Sequence, residues 1–304
     1  MSKEIAVDNK ESSEVSEVKI TLPAVAEEML FSEEDSGAGF EGTSVESFAI
    51  PFIQILQKGT PMVDEDNPHY VEGAKAGHLF NSVTRQIYNG KEGIDIIPCA
   101  FQRTFIRWGG RDSANPGFKG VLQVEEIDRL KHDPAQIKEV EGRLYVPNAD
   151  GTVDTKKNDY YADTRSHFVL IIDPESGDFS RALFPLTSSQ VKASKTLLTL
   201  LHEKIIKRTD GKRINPPTFA NLVHVNTKPL TDNKGNSWSG VEFTPTRILG
   251  IEDRDLYEAA KQFNRDVVSD AVPVDYAKAD YNNGGADDTE GGESFSKPKE
   301  AKTF

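Results

Sequence analysis

Cysteine is nearly absent from this 304-residue chain, with Cys99 standing alone. No disulfide can form within the chain, no cysteine-based zinc cluster can assemble, and a reducing compartment is expected. Cys99 lies inside an apolar strand pattern, where a thiol reads as a buried structural residue. Long apolar runs are missing too. No stretch approaches the roughly 18 apolar residues of a membrane span. The opening stretch lacks the apolar core of a secretory leader, so neither membrane nor export is expected. There is no internal repeat. Lys75-Ala-Gly77 and Gly109-Gly110 lack the spacing and the Lys-Ser/Thr pair of a phosphate-cradling loop, and no Gly-x-Ser-x-Gly elbow occurs. The six histidines, His69, His78, His132, His167, His202 and His224, are scattered without metal-ligand spacing. Asp64-Glu-Asp66 lacks the glycine and distal glutamate of a calcium loop. These gaps lead to the expectation of a protein without cofactor or metal, and not an enzyme.

What is abundant is charge, unevenly placed. The formal net charge is −13. Residues 1–48 hold 12 acidic and 3 basic residues, and residues 269–304 hold 8 and 4, leaving 29 of each in 49–268. The two ends are poor in apolar residues and cannot offset their ordering entropy, so both read as disordered acidic arms. A short helical turn at 23–32 is the one local exception. The middle stretch, 49–268, is long enough for one sizeable core, and its neutrality leaves it open to an anionic partner.

Within that stretch the pattern is mostly strand. Ile50-Pro-Phe-Ile-Gln-Ile-Leu-Gln57 and residues 77–84 are β-branched and aromatic. Tyr88-Asn89-Gly90 reads as a hairpin turn, because Asn-Gly accepts positive φ. Residues 93–108 form the strongest strand region, with Pro98 marking an interruption or an edge. A short charged helix is expected within 122–141. Strands follow at 144–146 and 166–172, the latter paired with 179–184 across the turn Asp173-Pro-Glu-Ser-Gly-Asp178. A helix opens at the Ser/Thr cluster after Leu186 and runs to about Arg208. A second hairpin joins 218–228 to 237–244, and a last helix spans about 253–267. The expected fold is α+β and β-rich, an OB-like Greek-key barrel with added helices. The expected organisation is arm 1–48, nucleic-acid-binding domain 49–268 and tail 269–304.

Two regions carry a positive signal. In the first, Arg103, Arg107 and Arg111 interleave with Phe101, Phe105 and Trp108. On one regular strand Phe101, Arg103, Phe105 and Arg107 share a face, as a single-strand groove requires: aromatics stack bases and guanidinium groups contact phosphates. The bland alternative is that the aromatics fill the core and the arginines are solvated. In the second, residues 181–228 carry 9 basic and 2 acidic residues. Lys192, Lys195, Lys204, Lys207, Arg208, Lys212 and Arg213 fall on the helix and the loop after it, where an anionic polymer would bind with strong salt dependence. Trp238 follows a hairpin tip and is either a stacking or a core residue. Asp159, Asp163 and Asp173 are the candidate carboxylates of a metal-dependent nuclease, with turn residues as the alternative.

The order of Ile50-Pro-Phe-Ile-Gln-Ile-Leu-Gln57, Ala74-Lys-Ala-Gly77, Phe80-Asn-Ser-Val-Thr84, Ile96-Ile-Pro98, Phe105-Ile-Arg-Trp108, Asn233-Lys-Gly-Asn-Ser-Trp238 and Asp255-Leu-Tyr-Glu-Ala-Ala-Lys-Gln-Phe263 resembles a group of bacteriophage early proteins from replication regions, some described as single-stranded DNA-binding. The resemblance spans most of 50–265. It implies a host-cytoplasmic protein that coats single-stranded DNA during replication or recombination, as a monomer or a homo-oligomer. Phage single-strand binders commonly pair an OB fold with an acidic tail ending in an aromatic residue, through which replication proteins are recruited. This chain has Asp287, Asp288 and Glu290 and ends in Phe304, but departs from the pattern with three lysines in its last eight residues. Competing readings are a phage interaction or structural protein, such as an inhibitor of a host enzyme or a virion component, and the nuclease.

Overall fold

The structure is a computed structural model and describes residues 33–35, 38–43, 47–233 and 235–277. The helical turn expected at 23–32 and most of the tail lie outside them. The chain divides into two compact units, Met1–Ser44 and Val45–Phe304. In the first, Glu33–Asp35 makes a single 3₁₀ turn. The remainder of the fold belongs to the second.

The second unit is β-rich and antiparallel, with three α-helices among its described residues. In chain order come β1 (Ile53–Ile55), β2 (Leu79–Asn81), β3 (Ile87–Tyr88), β4 (Ile94–Gly109), β5 (Gly117–Gln123), α1 (Val124–Leu130), β6 (Lys138–Val140), β7 (Arg143–Tyr145), β8 (Tyr160–Ile172) and β9 (Phe179–Leu186). Then follow α2 (Val191–Glu203), β10 (Ile206–Lys207), β11 (Arg213–Ile214), β12 (Asn221–Thr231), β13 (Ser237–Ile248) and α3 (Arg254–Val268). The spine is the pairing of β4 with β8, from Asp95 opposite Ile172 to Trp108 opposite Tyr160. Pro98 supplies no N–H, and the register shifts there, between Pro98 and Ala100.

The two ends of this ribbon have different neighbours. At one end β12 pairs with residues 94–96 and β9 with 165–172; at the other β5 pairs with 104–109 and β7 with 160–161. Alternation along the strands builds two cores. Ile94, Ile96, Val169 and Ile171 pack with Val223, Val225, Phe243 and Leu197 and Leu201 of α2. On the opposite face Ile97, Cys99, Phe168 and Leu170 pack with Ala260, Phe263 and Val267 of α3. Each large side chain so buried contributes on the order of 1.5–3 kcal/mol. The small sheet β1–β2–β3 reaches both edges of the curled large sheet. Leu183 N–H of β9 donates to Pro51 O at 2.8 Å, and the Gln57 amide donates to Ser239 O at 2.9 Å and accepts from Ser239 N–H at 2.8 Å.

Several expectations need correcting. Asn89-Gly90 is not a hairpin turn, because β3 folds back on β2 and β4 joins the other sheet. Gly90 is required for close approach instead: a Cβ there would stand 1.7 Å from Gly77 O. The main helix stops at Glu203, not near Arg208. There the Asn215 amide donates to Leu201 O at 3.2 Å and Lys204 O at 3.0 Å, capping the carbonyl end, and β-branched Ile205 and Ile206 turn into a ribbon. Its first turn has no side-chain cap from Thr187 or Gln190. Strands β5 and β6 were not expected at all.

Beyond α3, Val272, Val274 and Tyr276 pack against the α3-side core, so the stretch after 268 opens as a strap across that face. Tyr276 is 5% exposed, its hydroxyl lies 2.9 Å from Ser166 Oγ, and its ring meets Phe52 edge-on at 6.3 Å. Tyr276→Ala is expected to lower stability in urea by about 3 kcal/mol, and Tyr276→Phe by about 1 kcal/mol. An unchanged midpoint for Tyr276→Ala would show that the strap carries no stability.

Candidate nucleic-acid interface

On the α2 side of the ribbon the apolar alternation gives way to charge. Phe101, Arg103, Phe105 and Arg107 do share one face, opposite His167, Arg165, Asp163 and Tyr161 of β8. Arg103 binds Asp163 in a fork, Nε to Oδ1 at 2.9 Å and Nη2 to Oδ2 at 2.8 Å. Arg107 holds Asp159 at 2.9 and 2.6 Å, and Lys119 Nζ reaches the other oxygen at 2.7 Å. Arg103 lies over the Phe105 ring at 5.2 Å and Arg107 over Tyr161 at 5.9 Å. The strand arginines are therefore only about one-third exposed and are already paired.

The aromatics expected to stack bases are mostly interior, which corrects that part of the reading. Phe105, 3% exposed, packs with Ile127, Ile137, Leu144 and Tyr161. Trp108, 2% exposed, points to the α3-side core with its edge on Phe118. Phe101 is half-buried against His167 at 5.1 Å. Trp238 is half-buried on β13, opposite Leu230. Arg111 sits past the strand end near Asp112, at 3.4 Å. The carboxylates considered for a nuclease are spoken for. Asp159 and Asp163 hold arginines, and Asp173 accepts the backbone N–H groups of Glu175 and Ser176, which holds its carboxyl below the usual range. Among the described residues no group of three acidic, His or Cys side chains is placed to hold a metal.

The second basic region is exposed. Lys192 and Lys195 project from α2, and Lys207, Arg208, Lys212 and Arg213 from the β10–β11 ribbon, with Lys204 half-buried at its base. Among the described residues the only ion pair in this set is Arg208 with Asp210, at 3.8 Å. Helical spacing puts Leu200 and Ile205 on the apolar face of the expected helix, yet they are 44% and 62% exposed, and Ile214, which sequence reasoning missed, is 38% exposed on the same stretch. A groove of about 630 Å³ runs beside them, lined by Leu198, Leu201, His202, Asn215 and Pro217.

Between the two regions His167 and Ser194 join α2 to the sheet, His167 Nε2 to Ser194 Oγ at 2.8 Å, both fully buried. Burial, and then the nearby Arg165 charge, drive the His167 pKa from 6.5 down to about 3. Burial likewise pushes the Cys99 thiol up to about 12, so it is inert at neutral pH.

The fold and its cationic ribbon define a β-rich α+β scaffold that displays basic and aliphatic side chains together. The sequence profile of the Pam3 phage gp34-like protein family matches residues 19–273. The chain belongs to that family and is a bacteriophage protein. No curated protein matches it. No solved structure matches it either. Among the described residues no helix is long and apolar enough to cross a membrane.

The depressed His167 pKa fixes a pH dependence. The unfolded chain takes up a proton near 6.5 and the folded chain only near 3, so His167 favours folding fully above about pH 6.5. That contribution is lost progressively as pH falls from 6.5 towards 3, at up to about 1.4 kcal/mol per pH unit. His167→Gln, which keeps a partner for Ser194, is expected to flatten the slope of urea stability between pH 6.5 and 4.5. An identical slope in the variant would remove His167 as its source.

Proposed function

We propose that this phage protein binds single-stranded DNA without strong sequence preference, in replication or recombination, in the host cytoplasm and without catalysis. The observation that carries the reading is the β10–β11 ribbon with the adjoining face of α2. Six lysines and arginines stand exposed there with a single long ion pair among them. A chain of phosphates would supply the missing counter-charge, and contacts to phosphates carry no sequence information. Exposed Ile205 and Ile214 add apolar surface against which unpaired bases can lie. The curled sheet and the packing of α2 on β8 and β13 support an OB-like reading of the fold. The acidic arms, 12 acidic against 3 basic residues in 1–48, would compete with DNA for the same cations or recruit replication proteins. The aliphatic groove beside α2 favours a second reading, a docking site for a host or phage protein, with a homo-oligomer as its simplest form.

Fluorescence anisotropy of labelled oligo-dT, titrated with the intact chain at several salt concentrations, tests the first reading. Replacing Lys207, Arg208, Lys212 and Arg213 together by Ala is expected to weaken binding about 100-fold at low salt and to flatten the salt slope by about 3, at roughly 0.7 per single-strand phosphate. Equal affinity for duplex DNA, or no binding by the natural chain at low salt, would contradict it.

A further inference from the structure

Arg103 and Arg165 stand directly opposite each other on β4 and β8, where like charges repel. One carboxylate serves both. Asp163 gives its two oxygens to Arg103 at 2.9 and 2.8 Å, leaving Arg165 a single approach at 3.5 Å to an oxygen already occupied. Arg165 is only 7% exposed, and its buried Nε has no partner. A buried guanidinium short of acceptors is expensive, and every donor it carries favours an anion that can reach it. Among the described residues the surroundings do not supply one. Asp128 of α1 acts on Arg103, but Lys131, just past that helix, pairs with Asp128 at 3.8 Å. His167, next along the same face, is buried and uncharged at neutral pH. Three cations and two carboxylates leave one positive charge.

Leu186 of β9 lies opposite Arg165, and the chain then turns through Thr187 into the 3₁₀ turn Ser188–Gln190, which packs on β8. Arg103, 36% exposed, forms the solvent side of the Arg103–Arg165 pair.

The geometry points to an oxyanion site at Arg103 and Arg165 that takes a phosphate group. Its source in a strand, a backbone phosphodiester or a 5′-terminal phosphate, rests on the single-stranded DNA reading. The site itself needs only the phosphate. The outer edge of Arg103 supplies the charge-assisted donors, Arg165 adds its incompletely neutralised charge from behind, and Asp163 holds the fork in place.

The test uses the full chain, its Arg165→Gln variant and, should that variant fail to fold, Arg103→Gln. In thermal unfolding at constant ionic strength, pyrophosphate is expected to raise the midpoint of the natural chain and leave Arg165→Gln unmoved. An equal rise in both, or none in either, overturns the site. In the second arm, oligo-dT carrying a 5′-phosphate or a 5′-hydroxyl is titrated against both chains. Arg165→Gln is expected to bind about tenfold more weakly. A loss confined to the 5′-phosphate strand assigns the site to chain ends, and a loss on both assigns it to the backbone. A pyrophosphate effect without any DNA binding upholds the site and refutes the DNA reading. DNA binding unchanged by Arg165→Gln, with no pyrophosphate effect, does the reverse.

Discussion

The pairing of β4 with β8 is the constraint on which the rest of the molecule depends. Both strands are long enough to hold different neighbours at their two ends, so one ladder organises the barrel-like end under α2 and the charged end under α1. Side chains alternate with a period of two, and a slip of one residue would turn every one of them to the other face. It would send Ile96 and Val169 away from α2, and it would separate Arg103 from Asp163 and Arg107 from Asp159. The paired arginines and aspartates are thus register marks as much as ion pairs. Exposed by about a third, each is worth little by itself, of order 1 kcal/mol or less. Their geometry nonetheless favours the observed register over a one-residue slip.

Much of this was legible in the sequence, for identifiable reasons. The hairpin β8–β9 and the hairpin β12–β13 followed from strong β-branched alternation around turn residues, and α3 from its apolar spacing. Strand β5 was not legible, because Gly117-Phe-Lys-Gly has little β character and is held by the partner edge of β4. Asn89-Gly90 misled because glycine answers two demands, positive φ and close approach, and sequence cannot tell them apart. Phe105 misled in the same way, because an aromatic beside an arginine is as useful under a cation as under a base, and Trp108 because it fills the α3-side core instead. The signal that would have settled it was present. Arg103 and Arg107 are four apart, Asp159 and Asp163 are four apart, and two antiparallel strands bring such pairs together.

What remains unpaired is where the proposed binding concentrates. The strand arginines are neutralised by their own sheet, whereas the ribbon after α2 keeps its charge exposed and mixed with isoleucine. Arg165 lies between these regimes, interior in position yet incompletely neutralised. Membership of the Pam3 phage gp34-like protein family, over residues 19–273, covers the whole of this arrangement.

Amide hydrogen exchange of the intact chain, with and without saturating oligo-dT, tests the account most directly. The account predicts slowed exchange in 204–214, at the start of α2 and along 101–107 and 163–167, with α3 and the strap through Tyr276 unchanged. Protection confined to the α3 face, or none at all, would contradict it.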